Sequence, residues 1–394
     1  MLRSFIFIVT FCLSLYAAQA QPEIQKKIQR QLIMTENNQT ITIEAGTFEF
    51  TSSLSMEGKN QITIKGQGID KTILSFKNQT EGAEGLKISN CQNIIIENLT
   101  IQDTKGDCIK TMEVKGITFR NVKAEWTGEP SEKNGAYGLY PVMCENVLIE
   151  GCIAIGASDA GIYVGQSKYI VVKNSKAYHN VAGIEIENSI DAEVYDNEAY
   201  ENTGGILVFD LPDLVQKRGG NVRVYNNHIH HNNFPNFAPK GNIVGKVPAG
   251  TGVLILATNE VEVYKNKILY NNSIGTGIIS YYMTENPIQD SLYYPYPTKI
   301  YIHDNEYQRD EVKFIGKGRM GLLFKYKLKY GKQVPDIVYD GIVDEKKQNA
   351  QICIKNNSNA TFGNIDAGND FKNNNQDLTP YDCEIAIGQD KERE

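Results

Sequence analysis

A repeat of 22 residues restricts the fold of this chain more than any other feature of its sequence. Three consecutive segments, residues 159–180, 181–202 and 203–214, align without gaps over their first halves. Each unit starts with Gly and alternating apolar residues, and it continues through a few polar residues into a second alternating strand that ends in Asn. The marker glycines are Gly138, Gly161, Gly183, Gly205, Gly252 and Gly277, and the closing asparagines are Asn98, Asn121, Asn174, Asn197, Asn227, Asn266 and Asn305.

Short β-branched strands at this period, without helical periodicity between them, are typical of a parallel β-helix. Its coils stack about 4.8 Å apart, so equivalent residues form ladders, and Asn suits the turns because it tolerates positive φ. The Leu/Asn consensus of leucine-rich repeats is missing, and a β-propeller needs longer blades. We therefore expect one all-β solenoid over residues 21–312, with degenerate coils and a cap over 313–394. A short helix within residues 24–32 is expected to cover the open N-terminal end.

The first twenty residues have the pattern of a secretory signal peptide. Arg3 precedes an apolar run that ends at Tyr16, and residues 18–20 place alanines where a signal peptidase reads small side chains. The run is short for a membrane anchor. We therefore expect a mature chain that starts near Gln21, is secreted or periplasmic, has no membrane span and is monomeric.

Charge and cysteine content exclude several classes of protein. A net charge of −7 argues against binding to nucleic acid or to anionic membranes, because both need basic patches. The cysteines show no zinc-site spacing, and Cys353 with Cys383 could close a C-terminal loop. No loop has the acidic density of a Ca²⁺ site. We predict no metal ligands and no established cofactor, and we leave Ca²⁺ open as a ligand.

Candidate chemistry lies on the outer face of the first strand in each coil. Residues one and three after each marker glycine are apolar and should point inward, so residues two and four should point outward. Insertions at 213–220, 234–250 and 283–298 interrupt the stack, and such insertions map to one face and often carry the binding site. The outward ladder and its flanks supply candidate catalytic residues Tyr140, Asp159, Tyr163, Glu185, Glu187, Asp210 and Lys240, and candidate substrate-binding residues Tyr137, Gln166, Phe209, Arg218 and Tyr281.

A ladder of tyrosines and carboxylates suits a linear polysaccharide, because aromatic faces stack on sugar rings and carboxylates bind hydroxyls or exchange protons. Glu185 and Glu187 could hydrolyse a glycosidic bond as a pair. Tyr with Lys240 or His179 could instead abstract a proton next to a uronate carboxyl, which leads to β-elimination or C5-epimerisation. The alternatives are that the glutamates are solvated, that the tyrosines only stabilise the coils, and that Lys240 is an ordinary loop residue.

His228, His230 and His231 form a second candidate, because imidazoles at this spacing could hold a metal ion. Neighbouring histidines beside a turn are also commonly solvated. This cluster leaves open a role as a metal-handling accessory protein.

The runs at residues 137–142, 158–167, 180–189, 203–212 and 236–244 resemble a family of exported bacterial right-handed parallel β-helix repeat proteins with the pectin lyase-like fold. That resemblance implies the fold and leaves the reaction open. The chain is more distantly similar to mannuronan C5-epimerases, whose active strand carries a YG-x-D-P-H motif. Tyr137, Gly138 and Pro141 match this motif, but Tyr140 stands at the acid position and Val142 at the histidine position.

Together these patterns predict an exported β-helix protein that acts on an acidic, uronate-containing polysaccharide or envelope glycan by lyase- or epimerase-like chemistry. The alternatives are a non-catalytic β-helix that binds glycan or protein in the cell envelope, and a periplasmic metal-handling protein. Because the chain is acidic, an anionic glycan must meet a local cation such as Lys240 or Arg218, or a bound metal.

Overall fold

The structure is a computed structural model that describes residues 22–310, 313–316, 321–332, 334–346 and 350–388. Over these residues the chain winds into one solenoid of parallel strands, and each coil pairs with the equivalent strands of its neighbours. The predicted signal peptide lies outside the described residues.

One sheet, which we call the front sheet, carries the first strand of each coil. Its strands are β3 (Ser52–Glu57), β6 (Glu81–Ser89), β8 (Ile109–Met112), β10 (Tyr137–Val142), β13 (Ala160–Gly165), β16 (Ala182–Glu187), β19 (Gly204–Phe209), β22 (Thr251–Leu256), β25 (Ile274–Ile279), β28 (Ile337–Tyr339) and β30 (Phe362–Asn364).

The remaining strands form the rear sheet, which bends around the other sides of the solenoid. They are β1 (Gln39–Thr42), β2 (Gly46–Glu49), β4 (Asn60–Lys65), β5 (Thr72–Ser75), β7 (Gln92–Gln102), β9 (Lys115–Glu125), β11 (Glu145–Glu150), β12 (Ile153–Ile155), β14 (Lys168–Lys173), β15 (Lys176–Tyr178), β17 (Ile190–Tyr195), β18 (Glu198–Tyr200), β20 (Gly220–Tyr225), β21 (His228–His230), β23 (Asn259–Tyr264), β24 (Lys267–Leu269), β26 (Thr298–His303), β27 (Glu306–Gln308) and β29 (Ile352–Lys355).

The core fills the inside of the solenoid with ladders of aliphatic side chains. Ile162, Ile184, Ile206 and Val253 are in register on successive front strands, and all are fully buried. Burial alternates along the rear strands, as expected when one face meets solvent. The front strands β13, β16, β19 and β22 are instead buried on both faces. Other segments of the chain must therefore cover the outer face of the front sheet at these coils.

The marker glycines are confirmed as one structural position, with a single correction. Strand register aligns the series with Gly275, whereas Gly277 pairs with Leu254 and therefore belongs two residues further along the strand. The position requires glycine because a Cβ on Gly252 would lie 2.5 Å from the carbonyl oxygen of Gly275 in the next coil. The prediction of Gly277 was wrong because apolar Ile278 follows Gly277 directly, as in the other coils, whereas polar Thr276 follows Gly275.

The predicted asparagine marker divides into two adjacent positions. Asn98, Asn121 and Asn174 have positive φ and make the turn itself. The other members lie one residue later, point inward and are buried; they are Asn197, Asn227, Asn266 and Asn305. These inward side chains form a continuous hydrogen-bonded ladder, in which each amide oxygen accepts bonds from the preceding coil at 2.9–3.0 Å.

The predicted helix at the N-terminal end is confirmed. Helix α1 (Pro22–Met34) buries Ile28 and Leu32 against the first coil. Front and rear strands continue beyond residue 313 through β30, and helix α2 (Gly321–Tyr330), which the sequence patterns did not predict, lies among them. The disulfide between Cys353 and Cys383 is present, and the division of the chain at residue 313 stays a prediction.

Four short 3₁₀ turns, all in the insertions or near the C-terminus, complete the described secondary structure: Ile243–Lys246, Tyr281–Thr284, Ala367–Asn369 and Thr379–Tyr381. Among the described helices, none has the length and apolar character needed to cross a membrane.

Candidate functional site

One row of outward-pointing residues crosses the front sheet from coil to coil, and we call it the outer row. Strand register lines up Lys87, Lys110, Tyr140, Tyr163 and Glu185 along it. Leu207 and Leu254 continue the row on the following coils. Its character therefore changes from cationic through aromatic and acidic to apolar along the solenoid.

The tyrosines of this row form a compact cluster with Tyr137. Ring centroids lie 4.5 Å apart for Tyr137 and Tyr140, 4.4 Å for Tyr137 and Tyr163, and 5.0 Å for Tyr140 and Tyr163. Gly165 makes this arrangement possible, because a Cβ there would lie 2.3 Å from the Tyr163 hydroxyl. With glycine in place, the Tyr163 ring lies over the strand and donates a 2.6 Å hydrogen bond from its hydroxyl to the Glu187 carboxylate.

Next to the tyrosines is a cluster of three buried carboxyl groups, Asp159, Glu185 and Glu187, which are 6%, 1% and 7% exposed. Burial raises the pKa of Glu187 to about 7. Burial and the nearby Glu187 charge raise the pKa of Asp159 to about 7 and that of Glu185 well above its usual value. The alternative of solvated glutamates is therefore wrong for both residues, because the insertions remove them from water.

The insertion at 234–250 folds back over this cluster. Asn236 braces the loop by donating from its side chain to the Val244 and Val247 carbonyls, both at 2.9 Å. At its tip Asn242 donates to Asp159 at 2.9 Å. Lys240 itself is exposed and makes no hydrogen bond or ion pair within the described structure. The loop thus brings an amide to the carboxyl cluster, where the sequence suggested an ammonium.

The other insertions cover the next coils. Asp210 is fully buried, accepts from the Gly219 backbone N–H at 3.2 Å, and has its pKa raised by burial to about 7. Arg218 packs over the Tyr294 ring at 4.7 Å and donates to Thr298 at 2.9 Å.

Contacts between the insertions also engage other candidate side chains. The Gln166 side chain accepts the backbone N–H groups of Val215 and Gln216, at 2.9 and 3.3 Å. Lys217 pairs with Asp290 at 2.7 Å and joins two insertions. Gln166 and Arg218 therefore hold the insertions in place in this structure.

Two candidate stacking residues are covered. Phe209 is 1% exposed and Tyr281 is 5% exposed, so neither presents a ring face to solvent. Tyr281 also lies beyond strand β25, in a 3₁₀ turn where its N–H donates to Pro295, and is not part of the outer row as predicted. The error follows from the wrong marker glycine, which shifted the pattern by two residues.

The accessible end of the site contains two residues that the sequence patterns missed, Asp107 and Lys110. Lys110 places its ammonium 4.8 Å from the centre of the Tyr140 ring. Asp107 accepts from the Tyr137 backbone N–H at 3.3 Å, and burial raises its pKa to about 6 despite the opposing Lys110 charge. Burial and then the Asp107 charge raise the pKa of Tyr140 to about 12. These side chains are half-buried, so a ligand can reach them.

A sequence signal for Asp107 and Lys110 existed in the run Asp-Cys-Ile-Lys, which has the outward spacing of the later coils. It was missed because this coil has Cys108 at the marker-glycine position.

A separate cluster on the rear sheet could hold a metal ion. Ligand atoms of Glu198, His228 and His230 all lie within 4.8 Å of one another. His231, the third predicted member, is not one of these three ligands; its ring contacts Tyr270, and its Nδ1 lies 2.9 Å from His230 Nδ1. No cofactor is established for the chain, and a set of two imidazoles and one carboxylate suits transition metals better than Ca²⁺.

Comparison with known proteins agrees with this architecture. Residues 131–292 match the family described as "Right handed beta helix region". The chain is a right-handed parallel β-helix. None of the curated protein sequences matches it.

Solved structures share the same fold at low sequence identity. The A-modules of the mannuronan C-5 epimerases AlgE4 and AlgE6 from Azotobacter vinelandii superpose with TM-scores of 0.50 and 0.51, both at 13% identity. The AlgE4 alignment covers 82% of this chain and 86% of that one, and the AlgE6 alignment covers 82% and 87%. The Agl-KA catalytic domain superposes with a TM-score of 0.50 at 14% identity, over 87% of this chain and 51% of that one. At such identities the likeness establishes the β-helix fold alone, and the predicted distant similarity to mannuronan epimerases is confirmed at that level.

Proposed function

We propose that the protein binds an acidic, uronate-containing polysaccharide at the accessible end of the front sheet and abstracts a proton next to the uronate carboxyl. The observation that carries this proposal is the grouping of Asp107, Lys110 and Tyr140 at the half-buried, accessible end of the site. We call these three residues the mouth. A base, a cation and a proton donor are the three groups that such chemistry needs.

Each group has a charge state that fits its role. Lys110 neutralises the uronate carboxylate and the charge that develops on it when the adjacent proton leaves. Asp107, with its pKa raised to about 6, is ionised at neutral pH and remains basic enough to accept that proton. Tyr140, with its pKa raised to about 12, is protonated and can donate to the sugar. Return of a proton on the opposite face gives the C5 epimer, and loss of the glycosidic oxygen gives the unsaturated lyase product.

Two further observations support an extended anionic ligand. Lys87 and Lys110 are neighbours in the outer row, so cations lie on adjacent coils about 4.8 Å apart. The AlgE4 and AlgE6 epimerases are named after mannuronan, and this polymer is itself a uronate chain. Tyr163 and Glu187 form a buried hydrogen-bonded pair, and the Tyr163 ring contacts the other two tyrosines of the cluster, so we assign this pair a positioning role. Export through the predicted signal peptide places the protein where such polymers occur.

The test is incubation of the protein with alginate, pectate and glycosaminoglycans. Lyase activity appears as ultraviolet absorbance of the unsaturated product, and epimerase activity appears as deuterium uptake at C5 from heavy water. We expect Asp107→Asn and Tyr140→Phe to lower turnover by about 10²–10⁴-fold, the range for removal of a general acid or base. Lys168→Gln, an exposed lysine on the rear sheet, is the matched charge control and should leave turnover unchanged.

Lys110→Gln tests the role of the cation. We expect it to weaken both binding and turnover, because a charge-assisted contact is lost. Activity that is lost in Lys240→Gln and kept in Lys110→Gln would overturn the assignment of Lys110 as the cation that binds the uronate carboxylate. Absence of product from every uronate polymer would overturn the proposed chemistry.

A non-catalytic glycan-binding β-helix is the second candidate, and one observation favours it. The insertions cover the carboxyl cluster and the aromatic residues beyond it, so along the described front sheet the mouth is the accessible part of the site. This candidate predicts that glycan binding depends on Lys110 and Tyr140, that Asp107→Asn binds as wild type does, and that no polymer is turned over.

A further inference from the structure

We propose that Glu198, His228 and His230 form a binding site for a divalent transition-metal ion such as Zn²⁺ on the rear sheet. The site is independent of the proposed polysaccharide chemistry, since it lies on β18 and β21 and not on the front sheet.

The coil register builds the site. Glu198 pairs directly with His228 on the next coil, and His230 lies two residues further along the same strand, so that all three side chains point outward. The His230 Nε2 atom lies 3.3 Å from Glu198 Oε1, and the His228 Nδ1 atom lies 3.9 Å from the same oxygen. Ligand atoms around a tetrahedral Zn²⁺ at about 2.0–2.1 Å are separated by about 3.3 Å. The two distances to Glu198 Oε1 thus lie within about 0.6 Å of the spacing around such an ion, and all three ligand atoms lie within 4.8 Å of one another.

Neighbouring side chains hold the His230 ring in place. Tyr200 stacks on it with a centroid distance of 5.3 Å and an interplanar angle of 4°. His231 Nδ1 lies 2.9 Å from His230 Nδ1 and can accept its proton in a hydrogen bond. In the tautomer that carries its proton on Nδ1, His230 directs the Nε2 lone pair at Glu198 Oε1 and the cluster. A hydrogen-bonded partner of this kind is the usual support of a metal-ligating histidine.

The surroundings give the site its selectivity. Lys176 binds Glu198 Oε2 at 2.8 Å, so the carboxylate offers one oxygen, Oε1, to the ion. Lys267 follows His228 in the same row and adds a second positive charge. Two cations and a single free carboxylate oxygen disfavour Ca²⁺, which needs six to eight oxygen ligands. Imidazole ligands favour Zn²⁺, Ni²⁺ or Cu²⁺. A surface groove of about 450 Å³ borders Glu198 and His228, so a fourth ligand can enter from solvent.

The experiment is titration of the metal-free protein with Zn²⁺ by calorimetry, together with mass-spectrometric metal analysis after dialysis. We expect one Zn²⁺ per chain in the wild type. His228→Ala and His230→Ala should each weaken binding by at least about tenfold, in line with the loss of a direct ligand. His179→Ala is the matched control and should bind as wild type does, because His179 is a half-buried histidine paired with Glu201 outside the cluster.

Two further measurements distinguish ligation from folding. The variants should keep the wild-type circular dichroism, because His228 and His230 lie on the outer surface. Zn²⁺ should raise the thermal midpoint of the wild type and of His179→Ala, but not that of the His228→Ala/His230→Ala double variant. Absence of saturable Zn²⁺ binding in the wild type, or equal binding in the double variant, would overturn the proposal.

Discussion

The buried carboxyl cluster makes the stability of this protein depend on pH in a predictable direction. Glu187 is 7% exposed, and burial raises its pKa from 4.5 to about 7, although the Tyr163 hydroxyl donates to it. A raised pKa means that, at pH values between the unfolded and folded pKa, the folded state binds more protons than the unfolded chain. Stability must then fall as pH rises, because deprotonation leaves an anion in a poorly solvated site. Replacing Glu187 with Gln removes this group from the titration and keeps an oxygen that can accept from Tyr163.

The size of the effect follows from the two pKa values. A tenfold difference in proton affinity between the folded and unfolded states corresponds to about 1.4 kcal/mol once the pH exceeds the folded-state pKa. For one group with unfolded and folded pKa values of 4.5 and about 7, the free energy of unfolding falls by roughly 2–3 kcal/mol between about pH 5 and pH 8. The Glu187 charge also raises the pKa values of Asp159 and Glu185, so its removal relieves repulsion on both. We therefore expect Glu187→Gln to lower the pH dependence by at least this amount.

Urea unfolding followed by circular dichroism at about pH 5, 6, 7 and 8 measures the prediction. The wild type should lose stability steadily across this range, and Glu187→Gln should show a flatter profile and be the more stable protein at pH 8. Glu306→Gln is the control, because Glu306 is an exposed glutamate on the outward face of strand β27, and its profile should follow that of the wild type. Parallel profiles for wild type and Glu187→Gln would refute the reasoning, since they would show that Glu187 has the same proton affinity in both states.

Three other changes test how the coils are held together. Gly165→Ala should destabilise the protein by about 1–3 kcal/mol in urea unfolding, because the new Cβ would lie 2.3 Å from a tyrosine hydroxyl, whereas Gly128→Ala meets no described atom within 4 Å and should have little effect. Asn227→Ala should cost about 2–4 kcal/mol by the same measurement, because buried backbone and amide groups on both neighbouring coils lose hydrogen-bond partners. A smaller cost than that of an exposed Asn→Ala change would contradict a stabilising role for the asparagine ladder. Reduction of the Cys353–Cys383 disulfide, which spans 30 residues, should cost about 3–4 kcal/mol and speed proteolysis of the C-terminal coils, and unchanged proteolysis would argue against a role in holding them.

The sequence was sufficient to predict the solenoid because its architecture is repeated in every coil. The glycines that permit close coil contact, the apolar inward columns and the asparagines near the turns each recur with the period of the structure. An error at one coil, such as Gly277 for Gly275, does not change the predicted fold, since the other coils determine the same register. The N-terminal helix also follows from local features of the sequence, and the disulfide joins the two cysteines that the sequence offered as a possible C-terminal pair.

The environment of the site could not be predicted in the same way, because it depends on segments that do not repeat. Alternation along a strand predicts that Glu185 points outward, but it does not reveal that this side chain is buried or that the insertion at 234–250 folds back to the carboxyl cluster. The contact of Asn242 with Asp159 joins residues 83 positions apart through a loop of irregular conformation. Asp107 was missed for the opposite reason, because its coil departs from the glycine pattern and was left out of the ladder.

The order of residues along the outer row sets a direction for any anionic ligand. The chain has a net charge of −7, so its overall field does not attract a polyanion, and binding depends on local cations. In the proposed site these cations are Lys87 and Lys110, on the N-terminal side of the tyrosine cluster, and the roles that the sequence suggested for Lys240 and Arg218 stay predictions. On the other side, a polyanion would meet buried carboxyl groups beneath a closed loop. We therefore expect a bound uronate chain to extend from Tyr140 toward the N-terminal coils, with the carboxyl cluster limiting its reach at the other end.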